Sequence, residues 1–237
     1  MGIMDTGITT ITTTTTTSID GQSLIRLMTW LSPAFPVGGF AYSGGLERAV
    51  HDRLVQDADD LHAWLETLVM RGAWWNDAVL LAEAWHAHDD ATRLAEVIEL
   101  SEALAGSAER HLEIMAQGEA FAIAASAWPH PVLALLGEHP PYAVAVGAVA
   151  AAHGVALERT IAAFLHAIVS QAVSAAIRLS VLGQRQAVGI LAQLEPVILD
   201  VASDAAQSTT DNLGSATVIA DLTAIRHEIQ HSRLFRS

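Results

Sequence analysis

Hydrophobic positions recur at intervals of three and four along most of this chain, and no convincing stretch alternates at intervals of two. Leu61, Trp64, Leu65, Leu68 and Val69 form one such stripe, with the spacing of the buried face of a helix. Asp57 is a good N-cap for it, Asp59 and Asp60 put carboxylates in the first turn where the helix dipole favours them, and Gly72 closes it. The same reasoning predicts helices over about Ser23–Leu31, from near Gly45 through Leu46, Val50 and Leu54, over Trp74–His88, and over Ala91–Ala105. A further helix starts at Ser107 and stops before Pro129. Tyr142 to His153 is almost pure Ala, Val and Gly, a helix packed closely on all sides. Leu157 to Leu182 carries one apolar stripe through Ile161, Phe164, Leu165, Ile168, Ala172, Ala175 and Leu179, and a separate one of Gln171, Ser174 and Arg178. Helices over about Gly183–Val201 and Thr217–Ser232 complete the set, the last with Val218, Leu222, Ile225 and Ile229 as its apolar seam. The expected fold is all-α: a single domain over residues 21–237, a mostly antiparallel bundle of about eight to ten helices. It follows a Thr-rich stretch, residues 1 to about 20, with too little apolar content to order.

One segment breaks the helical rhythm. Leu31 to Glu47 reads LSPAFPVGGFAYSGGLE, and Pro33 and Pro36 remove backbone donors while Gly38, Gly39, Gly44 and Gly45 admit conformations closed to side chains. Yet Phe35, Val37, Phe40 and Tyr42 give it more apolar surface than a solvated loop needs. It either crosses the core or meets another protein.

Charge and composition narrow the chemistry. The chain of 237 residues carries a formal net charge of −14, which repels nucleic-acid backbones and anionic lipid, so neither nucleic acid nor membrane is an expected partner. No uninterrupted run of about twenty apolar residues is present, since the long helix from Leu157 is broken by Gln171 and Arg178. No secretory signal is evident and a cytoplasmic location is the default. There is no cysteine and no lysine, which excludes thiolate chemistry, a P-loop lysine and a Schiff base.

His227-Glu228-Ile229-Gln230-His231 is a literal H-E-x-x-H. On a helix the two imidazoles share a face and suit zinc, with Glu228 as general base of a metallopeptidase. The competing reading is a polar face on a terminal helix, because a third ligand would have to come from upstream, His86 being one option. Arg178 in an apolar helix calls for a partner, inside the chain or outside it. Arg233, Leu234, Phe235 and Arg236 form a basic and aromatic tip whose two apolar side chains gain roughly 1.5 to 3 kcal/mol each on burial, which favours docking over fraying.

With these residues in view, the chain resembles the UreF family of urease accessory proteins. LSPAFPVGGFAYSGGLERAV is similar to the family's opening signature, AERHLEIMAQG to its central one, and AAIRLSVLGQ and IRHEIQHSRLFRS to its two C-terminal ones. The resemblance implies an all-helical homodimer with no catalysis and no cofactor of its own. It implies binding to UreD, also called UreH, and recruitment of the GTPase UreG, so that nickel reaches apo-urease. It places partner-binding residues at Phe40, Tyr42, Ser43 and Glu47, at Arg178 and Gln184, and at Arg226, His227, Glu228, Arg233, Leu234, Phe235 and Arg236. It also makes His231 incidental, since the family often has Tyr near that position. Phe35, Gly39 and Gly44 depart from the family pattern of Leu, Ala and a polar residue.

Overall fold

The computed structural model describes residues 21–237; the Thr-rich stretch expected to be disordered lies outside the described residues. These form eleven α-helices and no strand: α1 (Gly21–Trp30), α2 (Leu46–His51), α3 (Ala58–Arg71), α4 (Ala73–His86), α5 (Ala91–Ala103), α6 (Ala108–Ala125), α7 (Val132–Leu135), α8 (Tyr142–Ala152), α9 (Leu157–Arg178), α10 (Gln184–Ala206) and α11 (Val218–His227). Apart from α7, a single turn of four residues, ten helices make the bundle that the hydrophobic rhythm implied.

The centre is the pair α4 and α8. Every residue of α8 from Tyr142 to Ala151 is buried, which is the all-round packing that its Ala, Val and Gly content demands. Small side chains let backbones approach: a Cβ on Gly147 would stand 2.3 Å from the carbonyl oxygen of Leu81 in α4. Gly118 of α6 has a similar role, since a Cβ there would come within 1.9 Å of the Pro140 carbonyl oxygen at the entry to α8. Around this centre α9 packs along α10, and the short connection between them makes the pair antiparallel. α9 and α10 are each long and apolar enough to cross a membrane by length and composition alone, and they contribute Phe164, Leu165, Leu194 and Ile198 to one continuous hydrophobic cluster that runs from Leu27 to Phe235.

Helix ends differ from the sequence reading in informative ways. Ser180 adopts a left-handed conformation, φ 62°, and ends α9 at Arg178 instead of Leu182. Pro196 sits inside α10 without ending it, and that helix runs on to Ala206. The largest difference is α11, which stops at His227 instead of Ser232. Its expected seam is not a core face either: Val218, Leu222, Ile225 and Ile229 are all exposed, and the side chains it buries are Thr223 and His227.

Aromatic packing fixes the kinked segment's first half. Phe35 lies 5.6 Å from Phe121 and 6.5 Å from Trp128 between ring centroids, and Trp30 stacks edge-on against the same two rings. The segment then turns outward through a 3-10 turn at Gly39–Ala41, where Gln171 of α9 donates to the Gly39 carbonyl at 2.6 Å. A Cβ on Gly39 would overlap the Gln171 amide at 2.2 Å, so glycine permits this contact where a methyl group would displace the Gln171 side chain.

The close approach of α4 and α8 sets a test. Gly147→Ala is expected to lower stability by about 1 to 3 kcal/mol, because backbone must move to admit the methyl group. Gly189→Ala in α10, where a Cβ meets nothing within 4 Å, is expected to be neutral or to stabilise by about 0.5 to 1 kcal/mol. Urea unfolding midpoints of the two variants check both.

Candidate functional site

Residues 228–237 leave α11 and fold back on the second half of the kinked segment. The anchor is Glu47, in the first turn of α2 and only 8% exposed. Its two carboxylate oxygens accept from the backbone N–H of Leu234 at 2.7 Å and of Phe235 at 2.9 Å. Nε2 of His227 lies 3.2 Å from the same carboxylate, while Nδ1 lies 2.7 Å from Glu109 of α6. The imidazole thus bridges two carboxylates, one at each ring nitrogen. Glu109 also accepts from Arg233 at 2.5 Å, and Glu228 accepts from the Ala108 N–H at 2.8 Å, near the start of α6, where a carboxylate complements the helix dipole.

The tail's far end is held just as closely. Arg236 N–H donates to the Ala41 carbonyl at 2.8 Å, and Ser43 N–H donates to the Ser237 carbonyl at 2.9 Å. The Ser43 hydroxyl donates to that carbonyl too. Between these contacts Phe235 is buried, 4% exposed, under the guanidinium of Arg178, whose carbon stands 4.2 Å above the ring. Arg178 also donates to the Phe40 carbonyl. Its partner is therefore inside the chain: one cation covers the tail's ring and ties down the kink.

Beneath the tail lies a buried charge cluster. Arg110 of α6 donates to Asp77 of α4 and lies 3.4 Å from Glu113; Glu113 accepts from Gln117 at 3.2 Å and from the Ser237 hydroxyl at 3.1 Å. Burial pushes both the Asp77 and Glu113 carboxyls above the ordinary carboxylate range, against the pull of Arg110. Burial opposes the charge on Arg110, but the two carboxylates outweigh it and its pKa rises.

The residues expected to bind partners therefore divide. Tyr42, Ser43, Glu47, His227 and Phe235 are buried and engaged by the chain's own tail and core, while Glu228 is partly buried on α6. Phe40 at 75% and Leu234 at 54% are exposed, as are Arg178, Gln184, Arg226, Arg233 and Arg236. Arg226 reaches back to Asp52 at the end of α2, 3.7 Å away, and Gln184 sits apart at the start of α10. The sequence reading missed Glu109, Arg110, Glu113, Gln171 and Ser237. Glu109 and Glu113, four apart on one helix face, carried a legible signal; Ser237 carried none.

The zinc reading of H-E-x-x-H is corrected by the same geometry. With α11 ending at His227, Glu228 is its C-cap and His231 lies beyond the helix, exposed, so the two imidazoles do not share a helical face. His227 is fully enclosed, with each ring nitrogen committed to a carboxylate. Among the described residues no group of three His, Cys, Asp or Glu side chains is arranged to hold a metal ion.

The UreF family model matches residues 55–195. The urease accessory protein UreF of Agrobacterium fabrum (strain C58 / ATCC 33970) is 62% identical over 215 residues, covering 91% of this chain and 96% of that protein. The UreF of Rhizobium meliloti (strain 1021) is 60% identical over 218 residues, covering 92% and 98%, and that of Mesorhizobium japonicum is 57% identical over 215 residues. The chain belongs to the UreF family. Within this family member the segments that carried the resemblance, distant in sequence, converge: Glu47, Glu109, Arg178 and His227 each come from a different one of them and meet at the tail.

Two outcomes test this clasp. Phe235→Ala is expected to cost about 3 to 5 kcal/mol, whereas Leu234→Ala, mostly exposed, should change stability by less than about 0.5 kcal/mol; guanidinium unfolding compares them. A carboxyl whose pKa is higher in the folded chain binds more protons when folded, so its contribution falls as pH rises through the interval above the ordinary carboxylate value. The stability of the parent relative to Glu113→Gln is therefore expected to decline as pH rises from about 4, as urea midpoints at matched pH will show.

Proposed function

We propose that this chain is a non-catalytic adaptor of urease maturation: a cytoplasmic, single-domain homodimer that binds UreD, also called UreH, and recruits and regulates the GTPase UreG, so that nickel passes into apo-urease. The observation that carries this reading is the convergence of the family segments on a clasp of ion pairs and backbone hydrogen bonds. The clasp arranges residues to hold a shape; nothing in it presents a nucleophile and base to a substrate. The Glu47 carboxylate is committed to holding the tail, one oxygen accepting from each of two backbone N–H groups.

The outer side of the clasp supports a docking role. Val218, Ile219, Leu222, Ile225 and Ile229 are exposed on and just beyond α11, and Leu234 is exposed on the tail. Exposed apolar side chains at this density on one short helix are typical of a surface that a partner covers. In this reading the tail and α11 dock UreD/UreH, the inner clasp keeps that surface in register, and the dimer surface receives UreG. Contacts to UreG, with no nucleotide site in this chain, then account for regulation of the GTPase.

Copurification with UreD is the direct test. Deleting residues 232–237 is expected to abolish the complex, and undiminished complex formation would remove the tail's docking role. Deleting the gene is expected to leave urease without nickel while UreG still binds GTP.

A further inference from the structure

Behind the kinked segment, between it and α9, lies a cavity of about 430 Å³. That volume falls within the range of ligand pockets and is too large for a packing defect. Its walls are Phe35, Pro36 and Val37 on one side and Ala167, Ser170 and Ser174 on the other, and its rim runs out to Phe40 and Arg178. Three features define what fits.

The first is charge. The chain holds 26 Asp and Glu, yet none lines this cavity, where the ionisable side chains are His166, Tyr142 and Arg178. The second is unused donor capacity. A guanidinium offers five N–H groups, and the hydrogen bond Arg178 makes is to the Phe40 carbonyl, which leaves further donors on an exposed side chain at the rim. The third is the rim. Phe40 is 75% exposed although its backbone is fixed by Arg178, so a large ring is held in solvent beside an apolar opening.

We propose that this cavity is a second docking site, for an acidic peptide segment of a partner protein that inserts an apolar side chain between the kink and α9 and sets a neighbouring carboxylate on Arg178. Charge complementarity fixes the sign of the segment, and the rim argues for a peptide: a small molecule inside the cavity leaves Phe40 uncovered, while a chain leaving it passes over that ring. The site is separate from the apolar strip of α11, and because Arg178 also caps Phe235, an occupant of the cavity touches the residue that holds the tail. The proposal rests on the adaptor reading only in assigning the segment to a partner protein.

The test uses the isolated full-length chain, so its failure leaves the copurification result with UreD untouched. Amide chemical shifts of isotope-labelled protein are followed while N-acetyl-Phe-Glu-amide, N-acetyl-Phe-Lys-amide or phenylacetate is titrated to millimolar concentration. The expected result is saturable shifts at Val37, Phe40, Ser170 and Ser174 with the Glu peptide, up to about fivefold weaker with the Lys peptide, as an exposed ion pair warrants, and weaker again with phenylacetate. Ser170→Leu, which fills the cavity, should abolish the shifts, and Phe40→Ala, at an exposed position that the fold does not need, should weaken them. Equal binding of the Lys peptide, phenylacetate binding as tightly as the peptide, shifts that survive Ser170→Leu in a chain of unchanged circular dichroism, or no shifts at all would each overturn the proposal.

Discussion

A carboxylate taken out of water must have its oxygens satisfied from within, and Glu47 meets that requirement with the chain's own tail. The N–H groups of Leu234 and Phe235 and the imidazole of His227 all point at it. The dependence runs in both directions: without the tail Glu47 would be a buried charge short of donors, and without Glu47 two backbone donors of the tail would lose their acceptor. The rest of the clasp extends this arrangement. Glu109 takes the other face of His227 and the Arg233 guanidinium, Glu113 takes the Ser237 hydroxyl, and Arg178 closes over Phe235. Four remote segments are thereby locked to one another by directional contacts, which the apolar core alone would not specify.

The fold was largely legible because helical periodicity survives in single sequences. The capping Asp57, the spacing in α3, the all-round apolar α8 and the glycine at position 72 between α3 and α4 each acted through local chemistry, and each held. The two misplacements at the C-terminal helix have distinct causes. The seam through Val218, Leu222, Ile225 and Ile229 obeyed the helical period, but period identifies which side chains share a face and not whether this chain or another molecule covers it. The H-E-x-x-H pattern failed for a complementary reason: its chemistry needs a continuous helix, and the pull of Glu47 and Glu109 on His227 and the tail ends that helix one turn too early.

The candidate site was legible only in part. Glu47, Arg178, His227 and Phe235 were singled out, and the structure brings them together, yet the contacts they make are internal. Sequence likeness marks positions that matter without distinguishing a residue that touches a partner from one that shapes the surface a partner touches. The kinked segment illustrates both: Phe35 is fixed in an aromatic cluster, Ser43 and Glu47 hold the tail, and Phe40 turns its ring outward. The first half of the segment packs into the aromatic core, and the second half holds the chain's own tail.

The central claim is that Glu47 organises the tail. Amide hydrogen exchange at Leu234 and Phe235, in the parent and in Glu47→Gln, measures it most directly. The amide side chain keeps the shape but its one carbonyl oxygen replaces the two that accept separately from the tail, so exchange at these two positions is expected to quicken by at least about tenfold, the equivalent of one net hydrogen bond, while α8 amides keep their protection. Unchanged exchange at Leu234 and Phe235 would contradict the account.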